Sequence, residues 1–413
     1  MFKKERQLIE FLEKHAYLII LVIATILAVL MRWYGRDMRS GDYDIYLVNW
    51  FNDIKANGGF MALRNQVGDY NIAYQTVIAF LTGLPMDPLY SYKIVSIIFD
   101  FVLAAGTGIL ACDVKYGKFS IKLFTAAYGL VLFLPAIFIN SAFWAQCDSI
   151  YVSFIVLGLY FIRKERFVIG FLFMGLSLAF KLQMIFILPF IIYLYVSNKK
   201  FSFTHILWIP VTLYLSTIPA LVVGRKWTAF YDIYANQTNT YNEMTLNVPN
   251  FWWVSGGFYE YLKMPAIIMA VMILGFGLLF IIKYKVKLTD NRNYLLIAAW
   301  SVWTCLNFLP AMHERYLVPL LILLLIMALY DLKRYAKYFV FMAMILVIVY
   351  GRFLFGTNFD FTIASLSFNA FYAYFSYEVF VTCRGKGPDE VEKRSSGSGI
   401  RVRLRGRDFI YKE

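Results

Sequence analysis

Long apolar stretches recur along the chain from near its first residues to residue 382. A helix that crosses a bilayer needs about 20 apolar residues, with a range near 17–25. The stretches that approach this length, several with flanking residues included, are 16–31, 92–111, 121–139, 149–162, 167–180, 184–197, 205–223, 262–282, 293–310, 316–331, 337–355 and 362–382. The pattern predicts an all-α polytopic membrane protein in which residues 1–383 form one bundle of about twelve transmembrane helices.

Composition narrows the class of protein further. Apolar residues make up 60% of the chain and charged residues 16%, and the mean hydropathy is +0.61. Soluble domains carry about 45–50% apolar and about 25% charged residues. These values exclude a water-soluble enzyme, a disordered chain and a coiled coil.

Basic clusters between the stretches predict the orientation in the membrane. Lys and Arg collect in cytoplasmic loops of membrane proteins. With about twelve spans and both termini in the cytoplasm, all the clusters fall on the cytoplasmic side. They are 115–122, 163–166, 199–200, 283–287, 333–337 and the tail 384–413. The formal charge of +14 therefore reflects topology, and we expect the tail to lie on anionic lipid rather than on nucleic acid.

Two apolar segments fit this topology only if neither of them is a single crossing of the membrane. Residues 71–85 are short and polar, so we expect an interfacial or re-entrant helix within a long outer loop, 32–91. Residues 167–197 are basic at both ends, which favours a hairpin that turns around residues 181–183. The outer side then holds 32–91, 140–148, the turn at 181, 224–261 and 311–315.

Two groups of polar residues on that side include carboxylates. Asp42 and Asp44 follow the first span, and Asp42 could accept a proton from a sugar hydroxyl. Capping of the next helix by Asp42 is an equal alternative, and a metal-binding DxD motif is a weaker one. Further on, Asn140, Gln146 and Asp148 could hydrogen-bond a sugar with Trp144 stacked on its ring. A capped helix start at Asp148 with an interfacial tryptophan is slightly favoured by spacing alone.

Two other groups on the outer side carry cations. Lys181, followed by Gln183, is expected to contact a phosphate, although snorkelling to the membrane surface is an alternative. His313 and Arg315 could hold a phosphate while Glu314 orients them, or the three could pair and close a turn. The four cysteines are scattered and no second histidine is near His313, so we expect neither a disulfide nor a metal site.

Taken in order from about residue 32 to 331, these segments resemble the C-type (GT-C) glycosyltransferases. Within that superfamily the chain is most similar to bacterial relatives of the enzyme that adds the second mannose to glycosylphosphatidylinositol. The segments that carry the resemblance are Gly41-Asp42-Tyr43 with Trp50, 58–63, 93–100, 140–150, 181–183 and 313–316.

The resemblance implies roles for these residues. Asp42 would be the catalytic base, and Lys181, His313 and Arg315 would hold the donor phosphate. Segments 50–63 and 71–85 would be interfacial helices. Contacts to the sugar or the acceptor would come from Asp44, Asn140, Trp144, Gln146, Asp148, Gln183 and Glu314. A neutral residue is usual at the position of Asp44, so its role stays open.

The resemblance also implies an activity. The expected protein is an inverting hexosyltransferase in the plasma membrane of a bacterium, with its active site on the extracytoplasmic side. It would move a hexose from a polyprenyl-phosphate sugar to a glycan or glycolipid acceptor, with membrane lipids as further partners and no divalent cation required. A transporter or flippase for lipid-linked sugars is the alternative, and a polysaccharide ligase or polymerase is a weaker one.

Overall fold

The computed structural model describes residues 3–238 and 240–385, and the backbone of two short strands further on. Its first part is helical, with single π-helical turns at Tyr43–Leu47 and Ile139–Phe143 and 3₁₀ turns at Gly59–Arg64 and Leu182–Ile187. The helices in this part are α1 (Lys3–Tyr34), α2 (Val48–Ala56), α3 (Ile72–Leu81), α4 (Pro88–Tyr116), α5 (Ile121–Phe133), α6 (Pro135–Phe138), α7 (Asp148–Arg163), α8 (Phe167–Phe180) and α9 (Leu188–Asn198).

The second part is also helical, apart from a short parallel ladder between β1 (Thr245–Leu246) and β2 (Met312–His313) and a 3₁₀ turn at Glu314–Leu317. Its helices are α10 (Phe203–Ile206), α11 (Trp208–Leu215), α12 (Ile218–Val222), α13 (Ala229–Gln237), α14 (Phe251–Ser255), α15 (Tyr259–Tyr284), α16 (Asn291–Phe308), α17 (Val318–Tyr330), α18 (Leu332–Phe355) and α19 (Phe361–Cys383). This confirms the predicted all-α class. Beyond residue 385, only the antiparallel strands β3 (Val402–Leu404) and β4 (Arg407–Phe409) are described, so most of the predicted basic tail lies outside the described residues.

Several helices have the length and composition of membrane spans. Four of them, α1, α4, α15 and α18, are long and apolar enough, and α5 with the segment to Phe143 adds a fifth if that bent pair is one span. Shorter apolar helices accompany them, and every predicted stretch overlaps a helix. The chain is an integral membrane protein by these criteria, while the number of about twelve spans remains a prediction.

Two breaks between helices occur at a residue with extended backbone. Between α5 and α6, Leu134 is extended and Pro135 cannot donate a backbone hydrogen bond, and the two helical segments are bent by 55°. Lys181 is also extended and ends α8. Beyond Lys181 the chain folds back, which brings the rings of Phe167 and Phe201 to within 5.3 Å of each other. The hairpin predicted for residues 167–197 is therefore present.

Burial divides the helices into central and peripheral ones. Almost every residue of α16 and α17 is buried, including Trp300 and Trp303, so these helices lie at the centre of the main hydrophobic core. By contrast, α1 leaves most of its apolar side chains exposed, among them Leu18 and Leu30. An apolar helix that is exposed on the surface of such a bundle is suited to contact with lipid.

The first predicted outer loop folds into a separate small core. Phe51 and Ile54 of α2 pack with Leu63 and with Ile72 and Ile78 of α3. The interfacial helices predicted at 50–63 and 71–85 correspond to α2 with the following 3₁₀ turn and to α3. This small core holds the residues between α1 and α4 against the bundle, where Asp42 lies.

Candidate functional site

Most of the predicted site residues line one cavity of about 320 Å³, here called the central cavity. They come from separate parts of the chain, up to 273 positions apart. The predicted site residues in its lining are Asp42, Gln146, Lys181, His313, Glu314 and Arg315. Segments predicted to lie on one side of the membrane therefore meet at one place.

Asp42 reaches this cavity because it is not used as a helix cap. It precedes the turn Tyr43–Leu47, yet its side chain makes no capping hydrogen bond. Ser40 takes that place, since its hydroxyl accepts from the Tyr43 backbone N–H at 3.2 Å and donates to the Trp144 carbonyl at 3.0 Å. The capping alternative for Asp42 is not supported.

Three donors converge on one oxygen of the Asp42 carboxylate. Arg315 Nη1 and Gln146 Nε2 each donate to Oδ2 at 2.8 Å, and Trp144 Nε1 donates at 3.0 Å. Among the residues that the structure describes, no donor is bonded to Oδ1. The carboxylate is thus held in one orientation, with its second oxygen free of donors from the described residues.

Trp144 occupies a different place from the one predicted. Its side chain is fully buried, with the rings of Tyr350 and Phe353 at 5.2 and 4.9 Å, so it cannot stack on a sugar. The guanidinium of Arg315 lies 5.1 Å from the indole centroid. Trp144 therefore contacts Asp42 and Arg315 from the protein interior. The prediction that Trp144 stacks on a sugar ring is wrong.

Asp148 and Lys181 form a second, deeper carboxylate–cation pair. Their side chains are only 1% and 5% exposed and they bond directly. Asn140 Nδ2 donates to the other oxygen of Asp148 at 2.8 Å, so Asn140 lies behind the cavity rather than in it. Cys147, not Asp148, is the N-cap of α7, so the capping alternative fails here too.

Aromatic rings surround the ammonium group of Lys181. Its Nζ lies 5.8 Å from the ring centroid of Tyr70, 5.5 Å from Tyr151 and 6.0 Å from Tyr316. Contacts of this length stabilise a desolvated cation. A phosphate that approached Lys181 would thus meet a cation already neutralised by Asp148, which the sequence did not indicate.

The short β ladder positions His313. Leu246 pairs with His313 in the β1–β2 register, and the Ala311 N–H donates to the Met244 carbonyl at 3.1 Å. The imidazole packs 4.6 Å from the ring of Tyr241, and its buried Nε2 has no hydrogen-bond partner in the described structure. That nitrogen is therefore a buried polar atom in the wall of the central cavity without a protein partner among the described residues.

The remaining ionisable residues of this turn divide between two partners. Glu314 is buried, with Oε2 3.8 Å from Nδ1 of His313, whereas Arg315 turns to Asp42. Neither Nε of Arg315 nor Oε2 of Glu314 has a hydrogen bond in the described structure. The turn is therefore not closed simply by mutual pairing of the three residues.

Besides Asn140, Trp144 and Asp148, two more predicted sugar contacts are absent from the lining of the central cavity. Asp44 is half exposed and pairs with Arg39, whose Nη2 lies 2.8 Å from Oδ1. Gln183 is buried and lines a neighbouring cavity of about 290 Å³, and its Oε1 has no hydrogen-bond partner in the described part of the chain. This neighbour, here called the apolar cavity, is lined largely by hydrophobic residues such as Ile185, Phe186 and Ile267.

Several lining residues were missed by sequence reasoning. Asp69 and Tyr70 follow Gly68, whose φ is +68° and whose Cα lies so near Trp50 that a Cβ would be 2.3 Å from the indole. Partial desolvation raises the pKa of Asp69. The sequence signal that could have identified Asp69 is a glycine directly before a carboxylate in an outer loop. Tyr241 reaches the cavity through the β ladder, and no sequence signal marks it.

A third cavity adjoins the other two on the side of the first loop. This outer cleft, of about 430 Å³, is lined by residues that include Arg64, Asp69, Arg225, Lys226, Asp232 and Asn236. Gln237 lines all three cavities, and its Oε1 is buried without a partner in the described structure. The three cavities therefore meet at Gln237; the outer cleft and the central cavity are lined by charged residues, and the third cavity is largely apolar.

A buried ionic network lies beneath the central cavity. Arg32 Nε donates to Asp100 Oδ2 at 2.8 Å, and both side chains are at most 1% exposed. The hydroxyls of Ser141 and Ser149 also donate to the Asp100 carboxylate. Because these serines directly follow Asn140 and Asp148 in the chain, Asp100 fixes the backbone that presents the second carboxylate pair.

Comparison with known proteins leaves the family resemblance as a prediction. No protein-family model matches the chain, and no curated protein is similar to it. Among the described residues, no group of three or more His, Cys, Asp and Glu side chains could hold a metal ion. What the site does must therefore be argued from its own geometry.

Proposed function

We propose that this protein is a GT-C-like membrane glycosyltransferase that moves a hexose from a polyprenyl-phosphate sugar to a glycan or glycolipid acceptor. The observation that carries the proposal is the meeting of the three cavities at Gln237. An apolar cavity suits the lipid chain of the donor, the charged central cavity suits its phosphate and sugar, and the outer cleft, with its amide and charged groups, suits the acceptor.

The orientation is part of the proposal. With about twelve spans, the central cavity opens on the extracytoplasmic side of a bacterial plasma membrane. Basic residues of the predicted cytoplasmic loops meet elsewhere: Arg163 bonds Asn291 at 2.9 Å, Lys115 bonds the Leu329 carbonyl at 2.7 Å, and Lys200 pairs with Glu165. Their separation from the cavity supports a bundle with a basic inner end.

Asp42 would act as the general base. Its free Oδ1 accepts the proton of the acceptor hydroxyl as that oxygen forms a bond with the anomeric carbon. The bond from the anomeric carbon to the phosphate oxygen breaks on the opposite face, and its electrons leave with the polyprenyl phosphate. The product would be inverted at the anomeric carbon.

Cations in the same cavity would stabilise the leaving phosphate as its charge develops. Arg315 and His313 both line the central cavity, and the side chain of each is 13% exposed. Lys181 adds positive charge from the cavity wall, although Asp148 compensates it in the free protein. In the protein without a donor, Lys181 and Arg315 are thus each paired with a carboxylate, and a phosphate must compete with Asp42 for Arg315.

Transfer assays on purified protein in proteoliposomes test the proposal. With a polyprenyl-phosphate hexose labelled in the sugar, we expect label to leave the lipid and appear on an acceptor. Asp42→Asn should abolish this transfer while the fold and the binding of the donor persist. Label that crosses the bilayer and stays on its lipid would show a flippase instead, and full transfer by Asp42→Asn would refute the role of Asp42.

A further inference from the structure

The outer cleft contains more positive charge than its own residues neutralise. Arg225 is buried, and Nη1 donates to the carbonyls of Leu63 and Asn65 at 3.1 and 3.0 Å and to Gln75 Oε1 at 3.1 Å. Nη2 is bonded to Gln66. All four acceptors are neutral, so this buried guanidinium has hydrogen bonds but no counter-charge among them.

Two further cations line the same cleft. The side chains of Arg64 and Lys226 are exposed and form no hydrogen bond or ion pair with the residues that the structure describes. The two carboxylates of the cleft, Asp69 and Asp232, are outnumbered by these three cations, and among the described residues neither forms an ion pair with them; Asp232 accepts a hydrogen bond from the hydroxyl of Thr228. Three cations therefore face one cleft without a carboxylate partner.

Such a cluster is unexpected on this side of the membrane. Lys and Arg are depleted in short extracytoplasmic loops, and two other arginines of the first loop are paired, Arg36 with Asp37 and Arg39 with Asp44. A neutral saccharide would need only the amide and carboxylate groups that the cleft also has. Unpaired guanidinium and ammonium groups instead fit an oxyanion.

We propose that the outer cleft binds an anionic acceptor, a saccharide that carries a phosphate or carboxylate group near the hydroxyl that is glycosylated. This rests on the proposed function, because Asp69, Gln237 and Thr240 line both the cleft and the central cavity and so connect the bound anion with the reacting centre. Arg64 and Lys226 contact the anion, and Arg225 supplies charge from the wall while it joins the first outer loop to the segment before α13.

Binding of three matched probes tests the inference without requiring turnover. The probes are an alkyl glucoside, the corresponding alkyl glucuronide and an alkyl glucosyl phosphodiester, titrated onto the purified full-length protein in neutral detergent. We expect one or both anionic probes to bind about tenfold more tightly than the neutral one, as two charge-assisted contacts would provide. Which of the two binds more tightly distinguishes a carboxylate from a phosphate as the natural group.

A double variant, Arg64→Gln with Lys226→Gln, should reduce that preference to near unity and remove its dependence on salt. Lys55→Gln, an exposed lysine of α2 outside the cleft, is the matched control and should retain the preference. Thermal unfolding midpoints verify that each variant folds. Equal binding of all three probes by the natural protein, or an unchanged preference in the double variant, would overturn the inference.

The outcomes separate this inference from the proposed function. Transfer of hexose from a polyprenyl-phosphate donor with no preference for anionic probes would leave the transferase in place and reject the anionic acceptor. Selective binding of anionic probes by a protein that transfers no sugar would retain the anion site and reject the transferase.

Discussion

Arg315 Nη1 lies 2.8 Å from Oδ2 of Asp42, so the candidate base and a candidate phosphate ligand are bonded to each other. The pair is partly exposed to the cavity, with side chains 19% and 13% exposed, and a phosphate can therefore reach the guanidinium. If the donor phosphate draws Arg315 away from Asp42, then donor binding prepares the base. This relationship makes the shape of the guanidinium important as well as its charge.

Replacement of Arg315 by lysine tests that point. Lysine keeps the charge but loses the planar fork that can contact a carboxylate and a phosphate together. We expect kcat/KM for the donor to fall by about 100-fold, which corresponds to about 2.7 kcal/mol of transition-state stabilisation. Steady-state kinetics with a purified polyprenyl-phosphate hexose measure this value. Arg39→Lys, in the exposed pair with Asp44, is the matched control. An equal loss of kcat/KM in that variant would show that the substitution acts through the fold and not through contact with the phosphate.

Asp69 is a second carboxylate at the mouth of the central cavity and a competitor for the role of base. We expect Asp42→Asn to lower kcat by a factor of about 1,000, within the range for loss of a general base, and Asp69→Asn to have a smaller effect. Donor binding, measured separately, should persist in both variants. A larger loss in Asp69→Asn than in Asp42→Asn would transfer the catalytic role to Asp69.

The pKa of Asp69 gives this comparison a dependence on pH. Partial desolvation raises that pKa, so Asp69 becomes protonated at a higher pH than an ordinary aspartate. As pH falls through this value, the cavity mouth loses a negative charge. We expect the KM for the acceptor to change over that acidic range in the natural protein and to be flatter in Asp69→Asn. A profile that is identical in the two proteins would show that Asp69 does not face the acceptor.

Periodicity and charge were sufficient to predict where the helices lie and which loops meet. Hydrophobic length placed a helix at every predicted stretch, and the basic residues at both ends of 167–197 required the reversal now seen at Lys181. The same argument assigned the segments around Asp42, Gln146 and His313 to one side, and they line one cavity. These features depend on bulk partition between water and lipid, which a sequence reports directly.

The partners of individual side chains could not be predicted in the same way. The burial of Trp144 depends on rings supplied by α18, and the pairing of Asp44 depends on the position of Arg39. Lys181 shows the consequence for experiments. Because it neutralises the buried Asp148, replacement by alanine would leave an unpaired carboxylate, so a loss of donor binding in that variant would also include a change in the fold.

The Arg32–Asp100 pair leads to a prediction about stability. Both side chains are buried, and Asp100 also accepts hydrogen bonds from Ser141 and Ser149. Asp100→Leu leaves Arg32 charged and unpaired in the bundle, and we expect the free energy of unfolding to fall by about 3–5 kcal/mol. Thermal or denaturant unfolding in detergent measures this loss.

Two other variants show whether the cost arises from the unpaired charge. Asp44→Leu, which breaks the exposed pair with Arg39, should change stability by about 0–1 kcal/mol. The double variant Arg32→Met with Asp100→Leu removes both charges and should recover much of the stability. We expect this double variant to transfer little sugar, because the serine hydroxyls next to Asn140 and Asp148 still lack the Asp100 carboxylate that accepts their hydrogen bonds. Full activity in the double variant would show that the network does not position the site.

The apolar cavity gives a prediction about the lipid of the donor. Ile267 of α15 lines this cavity, and Ile267→Trp adds an indole to a space of about 290 Å³. We expect the KM of a long-chain polyprenyl-phosphate hexose to rise by about tenfold, because the chain loses apolar contacts of about 0.8 kcal/mol for each methylene displaced. A donor with a chain too short to enter the cavity should be affected much less.

Ile268→Trp is the matched control, since Ile268 is the next residue of α15 and its side chain is exposed on the outside of the bundle. It adds the same indole to the same helix without filling the cavity, so any general effect on α15 appears in both variants. A selective rise in KM for long-chain donors in Ile267→Trp alone would place the lipid next to Gln183 and Phe186, which line the same cavity. The same rise for short and long chains would mean that the indole disturbs the central cavity through the shared Tyr316, and the lipid would then have to bind elsewhere.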